Sequence, residues 1–161
     1  MPIYKNDSEK REVKRVKAIP EREFQKQVIE LAHLFGWKVC EFRKARLKKR
    51  GQDTYRTPFG ADGMGFPDLV LARELDDGNF VCIMAELKSK KGKLSDWQKE
   101  WLKALIKVEG IFVFLWRPGD FDDILATLQS RGLPDIIKIC KKNALYVESL
   151  LVLNQATPAS E

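Results

Sequence analysis

The chain predicts an α/β protein: a central mixed β-sheet flanked by helices, with elements in the order α-β-β-β-α-β-α. Three observations carry this. Short apolar runs of strand length alternate with stretches whose apolar residues recur at helical spacing. Asp76-Asp77-Gly78 lies between two of the apolar runs as a hairpin signal. A strand–helix–strand step over residues 80–116 then calls for a parallel crossover, right-handed by rule, and layers of this kind pack as a sheet covered by helices.

Taken in order, residues 1–19 are charged and poorly periodic and read as a basic arm. Pro20 opens an amphipathic helix over 21–35. Its apolar stripe is Phe24, Val28, Leu31 and Phe35, and Gly36 stops it. Trp37–Phe42 is a strand. Residues 43–66 read as a long basic, Gly-containing loop, a length usually tied to function. Leu69–Ala72 and Phe80–Leu87 are apolar strands. A second amphipathic helix runs from Asp96 to Val108 with Ser95 as its N-cap, and Trp97, Trp101, Leu102 and Leu105 read as its core face. Ile111–Trp116 is a buried strand. A helix near 121–131 follows Pro118-Gly119-Asp120 and is closed by Gly132 and Pro134. Residues 135–153 look helical with one apolar face. The organisation expected is an arm (1–19), a main domain (20–131), and a C-terminal helix with a polar tail (132–161).

The 161 residues, 44% hydrophobic, suffice for one domain with a real core. Twenty-nine Lys and Arg against 23 Asp and Glu give +6. A stretch of the same surplus is concentrated in residues 38–56, with eight basic residues against two acids. Clustered positive charge favours a polyanion such as nucleic acid; mere solubility is the plain alternative. Cys40, Cys82 and Cys140 stand apart with no C-x-x-C pair, which argues against a zinc site or a disulfide framework. The single histidine, His33, lies inside a helical pattern and reads as a packed or surface residue. No run of about 18 apolar residues and no signal-like start is present, so a cytoplasmic, reducing location is expected.

The chemistry gathers around Asp68, Glu86 and Lys88. If Gly78 takes the left-handed position of a bulged hairpin, paired residue numbers sum to 154, and Asp68 falls opposite Glu86. Cross-strand neighbours have Cβ atoms about 4.5–5.5 Å apart. Lys88, two residues on, projects from the same face. Two carboxylates this close resist ionising together. A divalent ion with a preference for hard oxygen ligands, such as Mg²⁺, relieves the repulsion and supplies activated water. The plain alternative is a Glu86–Lys88 surface ion pair, but the apolar run Val81–Leu87 makes an unpartnered acid there costly. Glu21 lies on the core side of the first helix and Glu23 off it. Glu21 is either a further ligand or an acid that suits a helix N-terminus. Gln98 is explained by a Ser95-x-x-Gln98 capping box alone.

The motifs Glu21…Gln25, Gly-Phe-Pro-Asp-Leu-Val-Leu (65–71), Ala-Glu-Leu-Lys (85–88), Lys-Gly-Lys-Leu-Ser-x-x-Gln (91–98) and Trp-Arg-Pro-Gly-Asp (116–120) resemble the VRR-NUC branch of the PD-(D/E)XK nucleases. The resemblance spans roughly residues 20–125 with the motifs in order. It implies a restriction-endonuclease-like core and Mg²⁺- or Mn²⁺-dependent hydrolysis of phosphodiester bonds in DNA. Asp68 and Glu86 would be metal ligands, Glu21 the helix-borne acid in competition with Glu23, Lys88 the catalytic lysine and Gln98 the glutamine after the E-x-K strand. Arg43, Arg46 and Thr57-Pro58 lie where the family has a basic loop, and with Lys48, Lys49, Arg50 and Arg56 this segment would contact phosphates. Lys48-Lys49-Arg50 makes this segment more basic than the family pattern. Stand-alone members look like phage or bacterial proteins, which implies a bacterial or phage-infected host cytoplasm. Some relatives resolve branched DNA, including Holliday junctions, as homodimers, which makes structure-specific cutting and a twofold dimer expectations here. The alternative is a catalytically silent DNA-binding protein on the same fold.

Overall fold

The structure is a computed structural model that describes residues 19–42, 45–49, 52–56 and 60–153, along 45–49 and 52–56 the backbone alone. The expected arm therefore lies almost wholly outside the described residues, as do Arg43 and Arg50.

Helix α1 (Glu21–Leu34) ends as Gly36 adopts φ +78°, and strand β1 (Lys38–Glu41) follows. The next stretch differs from expectation. Residues 43–66 are not one loop, because β2 (Ala45–Lys49) and β3 (Gln52–Arg56) pair antiparallel, Leu47 opposite Thr54, in a two-stranded ribbon separate from the main sheet. Among the described residues these two strands pair with each other and with no strand of the main sheet, and the sequences of Ala45–Lys49 and Gln52–Arg56 offer no hydrophobic alternation to read. Strands β4 (Leu69–Glu74), β5 (Phe80–Leu87) and β6 (Ile111–Trp116) complete a four-stranded sheet of order β1-β4-β5-β6. The first two pairings are antiparallel and β5–β6 is parallel. Helix α2 (Asp96–Leu105) makes the crossover.

The β4–β5 register is the one expected. Leu69 pairs with Ala85 and Glu74 with Phe80, every pair summing to 154, and Gly78 sits at φ +79° in the turn. Period-two alternation divides the sheet into two faces. Leu69, Leu71, Ile83, Ala85, Leu87, Phe114 and Trp116 pack under Phe24, Val28 and Ala32 of α1 and under Ile124 and Leu128 of α3 (Phe121–Gln129). Val113, Leu115 and Met84 face Leu102 and Leu105 of α2 on the opposite side. Glu86 and Lys88 share the parity of Met84, so they emerge toward α2.

Two helix boundaries and one core assignment shift. Helix α3 stops at Gln129, and Pro134 does not close it. Pro134 instead lies in the first turn of α4 (Leu133–Leu153), where a missing N–H costs no helical hydrogen bond. Trp97, expected in the core, is 54% exposed in the first turn of α2, while Leu102 and Leu105 further along the helix are buried. His33 is exposed on α1. Among the described residues no helix is long and apolar enough to cross a membrane.

Candidate active site

Asp68 is held from both sides by backbone. The Phe42 N–H donates to the Asp68 carbonyl at 3.0 Å, tying it to the end of β1. The Leu87 N–H donates to Asp68 Oδ2 at 2.9 Å, tying the carboxylate to the end of β5. The preceding loop is pressed against α2. Phe66 packs edge-on to both Phe42 and Trp101, and the Trp101 indole N–H donates to the Asp62 carbonyl at 2.9 Å. Gly65 has φ +84°, and a Cβ there would fall 2.4 Å from the Trp97 carbonyl carbon. Only glycine lets these two backbones meet.

Glu86 is 1% exposed and Lys88 7%. Lys88 Nζ donates to Glu86 Oε1 at 2.6 Å, and Gln98 Nε2 donates to the same oxygen. The other oxygen, Oε2, is buried and has no hydrogen-bond partner. A buried, unpaired carboxylate oxygen is costly. Burial first, and then the nearby Asp68 carboxylate, push the Glu86 carboxyl up to about 8, against the pull of the Lys88 ammonium.

Gln98 serves two ends at once. Its Oε1 accepts from the Ser95 N–H at 2.9 Å while the Gln98 N–H donates to Ser95 Oγ at 3.3 Å, which is the expected capping box. Its free amide nitrogen is thereby aimed at Glu86. The helix-capping and site readings of Gln98 are therefore compatible.

Glu21 opens α1 on the opposite face of the sheet and reaches round the end of β5, where its Oε2 accepts from the Ser89 N–H at 3.4 Å. Its charge also contributes to raising Glu86. Glu23 is exposed. The fold thus brings Asp68, Glu86, Lys88, Gln98 and Glu21 to one end of the sheet. Asp68 and Glu86 form the close pair, and among the described residues no three acidic, histidine or cysteine groups are drawn together tightly enough to cage an ion. Of the basic segment, Arg46, Lys48 and Lys49 lie on β2 and Arg56 on β3.

Sequence reasoning missed Arg117. Its Nη1 donates to the carbonyls of Ser89 (2.7 Å) and Gly92 (2.8 Å), closing the turn that follows Lys88. Its N–H donates to Asp120 Oδ2 at 2.8 Å. The only prior signal was its place in the Trp-Arg-Pro-Gly-Asp motif, because a long cation that binds carbonyls leaves no charge pattern. A separate groove, around Leu34, Arg73, Asp123, Lys138 and Lys142, lies at the other end of β4 and shares no residue with this cluster.

The family model for the VRR-NUC domain matches residues 11–117, from ahead of α1 to just past β6. No curated protein and no solved structure matches the chain.

Proposed function

The chain belongs to the VRR-NUC domain family, and from that premise we propose that it is a Mg²⁺- or Mn²⁺-dependent endonuclease that hydrolyses phosphodiester bonds in DNA. Membership brings nuclease-like DNA processing; the metal, the endonucleolytic cut and a preference for branched DNA are this reading's own. The observation that carries it is the orphaned Oε2 of Glu86, buried beside a second carboxylate. In a merely structural ion pair both oxygens would be satisfied or solvated. Here one is left dry and unpaired, as a hard cation would require.

The donor set fits a hard divalent ion held by two carboxylates, Asp68 and Glu86, with Glu21 at the same end of the sheet on the Ser89 N–H. When bound, such an ion supplies a Lewis acid that activates water and offsets charge on the phosphate. The chain's own groups do the rest. The Leu87 N–H fixes Asp68 in orientation, and the Gln98 amide fixes Glu86 through the oxygen that stays with the protein. The Lys88 ammonium, drawn to Glu86 and largely excluded from water, stands ready to meet negative charge growing on a phosphate oxygen. The basic segment 38–56 would hold the backbone by counterion release, so binding should weaken steeply with salt.

The test is a panel of labelled linear, flapped, nicked and four-way DNA incubated with Mg²⁺, Mn²⁺ or EDTA. Metal-dependent cutting, faster on a branched member, is expected. Binding without cutting of any member would favour a silent DNA-binding protein.

A further inference from the structure

We infer that the C-terminal helix α4, which lies beyond the family match, is a working part of the site and acts through Arg117 as a positioning residue for Lys88. The inference rests on the nuclease reading for its kinetic half and on geometry alone for its structural half.

Strand β6 is the last strand of the sheet, so one edge of its backbone lacks a strand partner. An open edge presents unpaired N–H and C=O groups. Helix α4 covers this one. Asn143 accepts from the Leu115 N–H at 2.9 Å through Oδ1 and donates to the Leu115 carbonyl at 3.0 Å through Nδ2. One side-chain amide thus does what a residue of a neighbouring strand would do. Leu115 is the register partner of Glu86 on β5. One helical turn on, the Tyr146 hydroxyl accepts from Arg117 Nε at 3.3 Å.

Arg117 is therefore held at both ends of its guanidinium. Tyr146 takes Nε, and the carbonyls of Ser89 and Gly92 take Nη1. Those carbonyls belong to the tight turn after Lys88, in which the Gly92 N–H returns to Ser89 O at 3.1 Å and the Lys88 N–H donates to Trp116 O at 3.0 Å. Gly92 would bring a Cβ to 3.2 Å from Lys88 Cδ, so the turn lies directly against the lysine stem. A guanidinium can bridge two carbonyls and a hydroxyl because its donors are fixed in one plane; an ammonium or a neutral side chain cannot reproduce that fork. Lys88 has little room to choose its own position, so the clamp behind it sets where its ammonium stands.

A displacement of about 1 Å in a catalytic group can cost on the order of 100-fold in rate. The full-length Arg117→Ala protein should lose about 10- to 100-fold in kcat on the best-cut DNA, with KM and DNA binding unchanged, and added guanidinium ion should restore part of the loss. Tyr146→Phe should lose about 2- to 5-fold. A purely structural role would instead lower rate only in proportion to the folded fraction, with no rescue by guanidinium, and would overturn the inference. So would an Arg117→Ala kcat within twofold of the parent. Amide exchange supplies a readout free of cleavage: Arg117→Ala should speed exchange at Lys88, Ser89 and Gly92 and leave β4 unchanged. If the parent chain cuts no DNA, the function proposed above falls, while faster exchange confined to residues 88–92 still supports the clamp and unchanged exchange there overturns it.

Discussion

Two charged side chains sit at opposite ends of the β4–β5 hairpin, and they are treated in opposite ways. Both terminal nitrogens of Arg73 are provided for. Nη1 donates to the carbonyls of Phe35 at 2.7 Å and Leu128 at 3.0 Å, Nη2 donates to Ser130 O, and the guanidinium lies 5.1 Å from the centre of the Trp37 ring. Trp37 Nε1 in turn donates to Leu128 O at 2.8 Å. Glu86, more deeply buried, has one oxygen doubly bonded and the other with nothing. The first charge stitches the α1–β1 corner to the end of α3, and its satisfaction is its purpose. The second is kept short of a partner by the same fold that could have given it one. Trp116 Nε1 in the core is also buried without a partner, so it is the pairing of such an atom with a second carboxylate that points to chemistry.

The contrast can be broken most severely at the site itself. Glu86→Ala and Asp68→Ala should each lower cleavage by about 1000-fold or more, equivalent to about 4 kcal/mol of barrier, while electrophoretic mobility shifts show DNA still bound. Normal cutting by both variants would remove the acids from the mechanism. Next comes the loop that delivers Asp68. Gly65→Ala must both abandon φ +84° and clear the backbone of Trp97 and Gln98. A stability loss of about 2–4 kcal/mol by urea denaturation is expected, together with weaker cutting by the folded fraction.

At the scaffold end the expectation reverses. Arg73→Met strands the carbonyls of Phe35 and Ser130, leaves Leu128 O with Trp37 Nε1 alone, and should cost about 2–3 kcal/mol of stability. The kcat of the protein that remains folded should not change. The smallest effect is in pH. Glu86 is raised to about 8 when folded and titrates in the ordinary carboxylate range when unfolded. Between those values the folded state holds a proton that the unfolded state has released. Its contribution is therefore complete at acid pH and is lost as pH rises toward 8. In EDTA, the parent should lose about 1–2 kcal/mol relative to Glu86→Gln between pH 5 and 7, measured by thermal or urea unfolding. A difference that stays constant with pH would mean that Glu86 ionises as an ordinary acid.

How much of this was legible depends on which physical constraint left a trace in the residues. Gly78 in Asp76-Asp77-Gly78 fixed the hairpin offset, and strict alternation fixed the faces, so the approach of Asp68 to Glu86 could be placed before any coordinates. The capping box at Ser95 and Gln98 was equally readable, because it is local. The second duty of Gln98 came from the family resemblance alone, since it depends on how α2 packs over β5. The ribbon strands at 45–49 and 52–56 were missed because their sequence is mostly charged and polar, with no apolar alternation; the weak sign was Gly51 between two short stretches, with Thr54 and Tyr55 in the second. Trp97 was misplaced because it continues the spacing of Trp101 and Leu105, yet in the first turn of α2 it stands exposed. The part played by Asn143 and Tyr146 lies in contacts more than 25 residues long, which neither periodicity nor composition records.

On the function proposed above, a divalent cation would complete the unpaired Glu86 Oε2. The most direct measurement is the melting temperature of the full-length chain against Mn²⁺ concentration, with Glu86→Gln alongside. Ligand binding to the native state stabilises by mass action, by about 2.7 kcal/mol at a hundredfold excess over Kd. The parent should therefore rise steadily in melting temperature while Glu86→Gln stays flat. Equal curves for the two proteins, whether both flat or both rising, would contradict the account.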